Sequence, residues 1–259
     1  MKRYNIAAVS YLNTKPLLHG IALEKMEKEL NLSIDYPAKC AEKLLKGEVD
    51  FALVPVAVIP QLSSYHLVSD YCIGCDGAVQ TVCIYSNEPL EKINEIYTDF
   101  HSRTSNELAK ILLREYWKMD IPFYSLQASA EKELGQKSAI IAIGDKTIDL
   151  APKFKYEYDL GEAWKKLTGL PFVFAAWISL KPIPEDFEAR LNSAFKKGIE
   201  DIDDLVQALG KQGEDFSLKM YFDNYIDYHL DAKKKEALQL YLEKIKENKE
   251  SYFPELSLA

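Results

Sequence analysis

The sequence predicts an α/β protein of two lobes with a ligand cleft between them. Two observations carry this. Short apolar runs alternate with helix-period patterns along the chain, and two turn-forming clusters, Ser86-Asn87-Glu88-Pro89 and Ser179-Leu180-Lys181-Pro182-Ile183-Pro184, each follow a strong apolar run. Chain that leaves one lobe near residue 88 and returns near residue 180 makes a discontinuous first lobe, 1–88 with 180–259, and an inserted second lobe, 89–179. The 259 residues, 47% of them hydrophobic, suffice for one large domain or two medium ones.

The apolar runs place strands at Tyr4–Val9, Ser33–Tyr36, Phe51–Val54, Leu67–Ile73, Val79–Tyr85, Ile96–Tyr97, Phe123–Ser125, Ser138–Ile143 and Phe172–Ile178. Helices are expected at Pro16–Leu23, opened by a proline in the first turn, and at Ala38–Lys46. Others are expected at Ser105–Trp117, Leu160–Thr168 and in three stretches after Pro184. Towards the C-terminus, Leu238, Leu242 and Ile245 fall at helical spacing, as do Tyr221, Tyr225 and Tyr228. Their neighbours include Lys233, Lys234, Lys235 and Glu243, so this end reads as helix packed on the first lobe with a solvated outer face.

Several function classes are disfavoured. A net charge of −8 argues against nonspecific nucleic-acid binding, yet leaves an anionic small substrate open because the local field in a cleft decides that. No apolar stretch approaches a membrane span, and Ile6–Val9 after Lys2 and Arg3 is too short for a secretory core, so a cytoplasmic location is expected. Disulfides among Cys40, Cys72, Cys75 and Cys83 are then not expected. Cys72-x-x-Cys75 lacks a second ligand pair and reads as structural thiols. His19, His66, His101 and His229 are scattered without metal-ligand spacing, and no phosphate loop, dinucleotide fingerprint or nucleophile elbow is present.

Three segments carry candidate chemistry. Ser10-Tyr11-Leu12-Asn13-Thr14-Lys15-Pro16 follows the first strand, at a strand tip of the kind where open α/β sheets bind ligands. Asn13 or Thr14 either caps the following helix or presents its side chain to a ligand, and the two roles are compatible. In Ser102-Arg103-Thr104-Ser105, Thr104 with Glu107 makes a capping-box pattern, and Arg103 either grips a carboxylate or pairs with Asp99. Gly144-Asp145 ends a strand, where the acid orients a substrate hydroxyl or holds a hinge. Gly77 allows close backbone approach, and Thr81 by itself is an ordinary β-branched strand residue.

The ordered set Ser10-Tyr11-Leu12-Asn13-Thr14-Lys15-Pro16-Leu17, Asp50–Pro55, Gly77–Val82, Ser102–Ser105, Ile143–Asp145, Tyr158–Trp164 and Thr168–Ala175 resembles the MqnA family, chorismate dehydratases of the futalosine route to menaquinone. The chain departs from the family's Gly-Pro-Val-Arg-Ser-Val by carrying Ala78, Gln80 and Thr81. The resemblance implies a bilobal type II periplasmic-binding-protein-like fold and removal of water from chorismate without a cofactor or metal. It also implies Asn13 and Thr81 as catalytic residues, with Ser10, Tyr11, Thr14, Gly77, Ser102, Arg103, Thr104, Ser105 and Asp145 contacting substrate. A neutral amide and a hydroxyl are poor proton acceptors, so the substrate's enolpyruvyl carboxylate is the expected base, held by Asn13 while Thr81 assists the departing hydroxyl. A non-catalytic binding or sensor module of the same fold, or a related enzyme with shifted substrate, are the competing readings.

Overall fold

The computed structural model describes residues 3–98, 103–125, 135–212 and 216–252. The first sheet is built from β1 (Tyr4–Val9), β2 (Leu30–Asp35), β3 (Phe51–Pro55) and β4 (His66–Cys75). The second takes β5 (Val82–Ser86), β6 (Glu95–Thr98), β7 (Phe123–Ser125), β8 (Ser138–Ile143) and β9 (Tyr156–Asp159). β10 (Phe172–Ser179) and β11 (Asp227–His229) return to the first. The helices are α1 (Lys15–Leu23), α2 (Pro37–Leu45), α3 (Arg103–Leu112), α4 (Lys146–Leu150), α5 (Leu160–Thr168), α6 (Glu185–Glu200), α7 (Ile202–Leu209), α8 (Leu218–Met220) and α9 (Ala232–Tyr252).

The two sheets repeat one plan. The first runs β11-β4-β10-β3-β1-β2 and the second β7-β6-β8-β5-β9. In each, three strands are mutually parallel, β2-β1-β3 and β7-β6-β8. The strand that enters from the other lobe, β10 or β5, lies antiparallel beside them and pairs on its far side with one more strand. Both crossings therefore fall earlier than the turn clusters suggest. β5 already belongs to the second sheet and β10 already to the first, so the chain changes lobe between Cys75 and Val82 and again between Thr168 and Phe172. The clusters at 86–89 and 179–184 are turns that follow those strands inside their own lobes.

Burial explains the elements. β1, β3, β5, β8 and β10 are almost wholly buried, as their unbroken apolar runs require when both faces of a sheet are covered. Under the first sheet, Trp177 stacks on Phe195 of α6 at 5.2 Å, with Phe51, Phe187 and Tyr4 packed edge-on or tilted around them. α1 and α6 touch backbone to backbone, because a Cβ on Gly20 would sit inside the carbonyl of Ala194 and one on Gly198 inside that of Pro16.

The C-terminal region differs from its periodicity. Leu238, Leu242 and Ile245 are buried on α9 as expected. Tyr221 and Tyr225 instead share a wide π turn, Tyr221–Tyr225, and Tyr228 lies in β11, so the three tyrosines are not one helical stripe. Lys234 is 1% exposed, its ammonium donating to the Asp227 carboxylate, and is no part of a solvated face. α9 also braces the second lobe: the Tyr241 hydroxyl donates to the Thr104 carbonyl at 2.8 Å and Lys244 pairs with Glu115 at 2.5 Å. Among the described residues no helix is long and apolar enough to cross a membrane.

Candidate active site

Strand tips from both sheets converge on one partly open cleft enclosing about 560 Å³, the solvent at its mouth included. Its walls are mainly apolar. Val9, Leu53, Pro55, Ile73, Phe174 and Ala175 come from the first sheet, and Val79, Val82, Ile143 and Gly144 from the second lobe. Tyr11, Asn13, Arg103, Thr104 and Ser105 supply the polar groups, and with Gly144 on the wall all three candidate segments meet at this cleft. Among the described lining residues there is no carboxylate, histidine or lysine; Arg103 is the one charged side chain.

Asn13 lies in a short 3-10 turn, Leu12–Thr14, between β1 and α1. Neither Asn13 nor Thr14 caps α1 with its side chain. The buried Thr14 hydroxyl instead donates to Asn13 Oδ1 at 3.4 Å, and the amide lies near enough to the Tyr221 hydroxyl to pull its pKa down. On its other side the Tyr221 hydroxyl shares a 2.8 Å hydrogen bond with Thr81 Oγ1. Tyr221 thus bonds one of the two residues singled out as catalytic and neighbours the other, although its spacing in the sequence signalled only packing. Burial raises its pKa well above the usual phenol value, against the pull of Thr81 and Asn13, so it stays neutral. Thr81 is 2% exposed and stands behind the wall rather than on it, its hydroxyl bonded to Tyr221.

Asp145 holds the lobes together. Its Oδ1 accepts the Leu12 N–H at 2.9 Å across the cleft, and burial raises its pKa despite that bond and the nearby charge of Lys15. Beside it the Tyr11 ring covers Gly144, whose φ is +67° and whose absent Cβ would lie 2.9 Å from the ring carbons. Gly144→Ala therefore adds left-handed strain of about 1 kcal/mol to a ring collision. It is expected to weaken ligand affinity about tenfold, or about 1.4 kcal/mol, by holding the lobes apart. Unchanged affinity in a titration would remove this contact from the bound state.

The remaining expectations divide. Arg103, Thr104 and Ser105 form the first turn of α3 and line the cleft, at the helix end whose N–H groups have no carbonyl of their own helix to bond. The capping box does not form: Thr104 is inside the helix with its Oγ1 accepting the Ala57 N–H at 3.3 Å, and Glu107 pairs with Lys110. Ser102 and Asp99 lie outside the described residues. Ser10 is exposed and Gly77 sits on the crossing, neither on the cleft wall; Gln80 too stands off it. All four cysteines are free and buried; burial pushes Cys72 up to about 12 and Cys75 well above its ordinary value, which keeps both as thiols. No metal-binding cluster occurs among the described residues.

Two lobes of matching strand order, facing each other over an apolar cleft rimmed with hydrogen-bond donors, define a periplasmic-binding-protein-like protein. Solved structures agree on that fold. A protein of Archaeoglobus fulgidus matches with a TM-score of 0.71 at 14% identity over 95% of this chain and 97% of its own. The periplasmic aliphatic sulphonate binding protein of Escherichia coli matches at 0.64 and 15% over 96% and 93%. Within that class the chain belongs to the menaquinone-biosynthesis family, whose sequence profile matches residues 4–247. It is similar to the chorismate dehydratase of Thermus thermophilus, 25% identical over 265 residues, 94% of this chain and 95% of that protein.

Proposed function

We propose that this protein is a chorismate dehydratase, eliminating water from chorismate to give 3-[(1-carboxyvinyl)oxy]benzoate in menaquinone biosynthesis. The observation that carries the reading is the chemistry of the wall: donors and one guanidinium, but no side-chain base among the described lining residues. An elimination in such a cleft suits a substrate that brings its own base. The hydrogen lost sits on the ring carbon bearing the enolpyruvyl ether, vinylogous to the ring carboxylate. The enolpyruvyl carboxylate removes this proton, negative charge spreads into the ring carboxylate, and the C–O bond of the neighbouring carbon breaks as the ring becomes aromatic, the departing hydroxide taking the proton back from the enolpyruvyl carboxyl to leave as water.

The protein's part is orientation and stabilisation of that anion in a closed space. Asn13 holds the enolpyruvyl carboxylate by an amide N–H. Arg103 and the first turn of α3 take the ring carboxylate, one as a bidentate cation and the other through backbone N–H groups. Thr81 and Tyr221 fix Asn13 from behind and steady the departing hydroxyl's surroundings, and Tyr11 with Asp145 closes the cleft. The aliphatic walls exclude water from the anion.

Purified protein incubated with chorismate is expected to yield an aromatic product lighter by one water, followed by absorbance and mass. Binding of chorismate without turnover would replace this reading with that of a binding or sensor module. Turnover of a different cyclohexadienyl carboxylate in preference to chorismate would make it a related enzyme of shifted substrate.

A further inference from the structure

Between β4 and β5 the chain makes a turn that an L-residue rarely adopts. The Thr81 N–H bonds to the Val79 carbonyl at 2.8 Å, a three-residue γ-turn with Gln80 at φ +66°. Such a turn is strained and persists only where its surroundings over-determine it. Val79 and Val82 on either side both line the cleft, and Thr81 hands its hydroxyl to Tyr221.

What over-determines it is one carboxylate. Asp159 Oδ2 accepts the N–H groups of both Val79, at 2.9 Å, and Gln80, at 2.7 Å. Its Oδ1 accepts the Glu162 N–H at 3.0 Å, capping α5. The acid stands where β9 runs into α5, so its position is fixed by two elements of the second lobe before it reaches the turn. From the opposite side the Gly144 N–H donates to the Thr81 carbonyl at 2.9 Å. Thr81 is therefore held through its N–H, its carbonyl and its hydroxyl, and two of the bonds that shape the turn end on Asp159.

We propose that Asp159 is a positioning residue of the reaction, clamping the Val79–Thr81 turn so that the Thr81 hydroxyl meets Tyr221. This role rests on the dehydratase reading. Asp159→Ser separates the clamp from the helix cap, because serine supplies a capping oxygen but no second oxygen for the turn.

The test measures chorismate kinetics and thermal unfolding for the unmodified protein, Asp159→Ser, Thr81→Ala and the double variant. In Asp159→Ser, kcat is expected to fall tenfold or more with KM within about twofold. In the Thr81→Ala background the same change should lower kcat by less than about twofold, since the residue it acts through is already gone. Amide exchange over residues 76–82 should speed up in Asp159→Ser. An equal loss in both backgrounds, or a lowered melting temperature with unchanged kcat, overturns the positioning role and leaves Asp159 a structural acid. An unmodified protein that binds chorismate without turning it over overturns the dehydratase reading, and the role with it.

Discussion

On the dehydratase reading, Asn13→Ala is expected to lower kcat for chorismate by about 10²–10³-fold, equivalent to about 2.7–4 kcal/mol of transition-state stabilisation, with KM little changed. The magnitude is that of removing one pre-set donor from developing charge in a closed site. Three features make Asn13 such a donor. Its turn is fixed between β1 and α1, its amide is not spent on capping α1, and the Thr14 hydroxyl holds the amide oxygen. Thr14 donates to the amide oxygen, which turns the amide nitrogen away from that partner. Alanine removes the donor and leaves a void that water can enter. A rise in KM with unchanged kcat would make Asn13 a binding residue only.

Gly198→Ala destabilises the fold by about 3 kcal/mol, lowering the melting temperature by roughly 10 °C. Alanine is the better helix former, worth about 1 kcal/mol in a helix interior, so propensity alone gives the opposite sign. The collision decides. The added methyl would fall inside the Pro16 carbonyl and against the Gly20 backbone, and neither is a side-chain tip that can swing away. Relief requires α1 and α6 to separate along their line of contact. A melting temperature within about 1 °C of the unmodified protein, read by circular dichroism, would show that the helices have room. Because α1 begins just after Thr14, the same separation would also move the Asn13 turn.

The buried strands and most helices were legible because their apolar runs are long. β9 was missed: Tyr156–Asp159 has its first two residues exposed and its last two half-buried, the mark of a sheet edge without alternation. β11 is only three residues. The expected strand Val79–Tyr85 starts late because Gln80 takes a positive φ, which composition does not announce. In the site, Asn13, Arg103, Thr104 and Ser105 were readable as strand-tip and helix-start residues. Tyr221 was visible only as a periodic tyrosine, since a hydroxyl's partner 140 positions away leaves no local trace. Asp159 carried no reading of its own in the sequence, because the two N–H groups it reaches on the turn 79 and 80 positions earlier are a product of topology.

The interleaved strand order has a consequence for how the molecule is made. All five strands of the second sheet come from one continuous stretch, residues 82–159, whereas the first sheet needs β10 between β3 and β4 and receives it only after that stretch is complete. Emerging from the ribosome, the N-terminal third has a gap in the middle of its sheet, with buried faces and unpaired edges open until residue 179 is available. The inserted lobe is therefore the part able to close first, although it begins second. The cleft, which needs both, cannot form before β10 is made, and a chain stopped before β10 would leave the first sheet without its central strand.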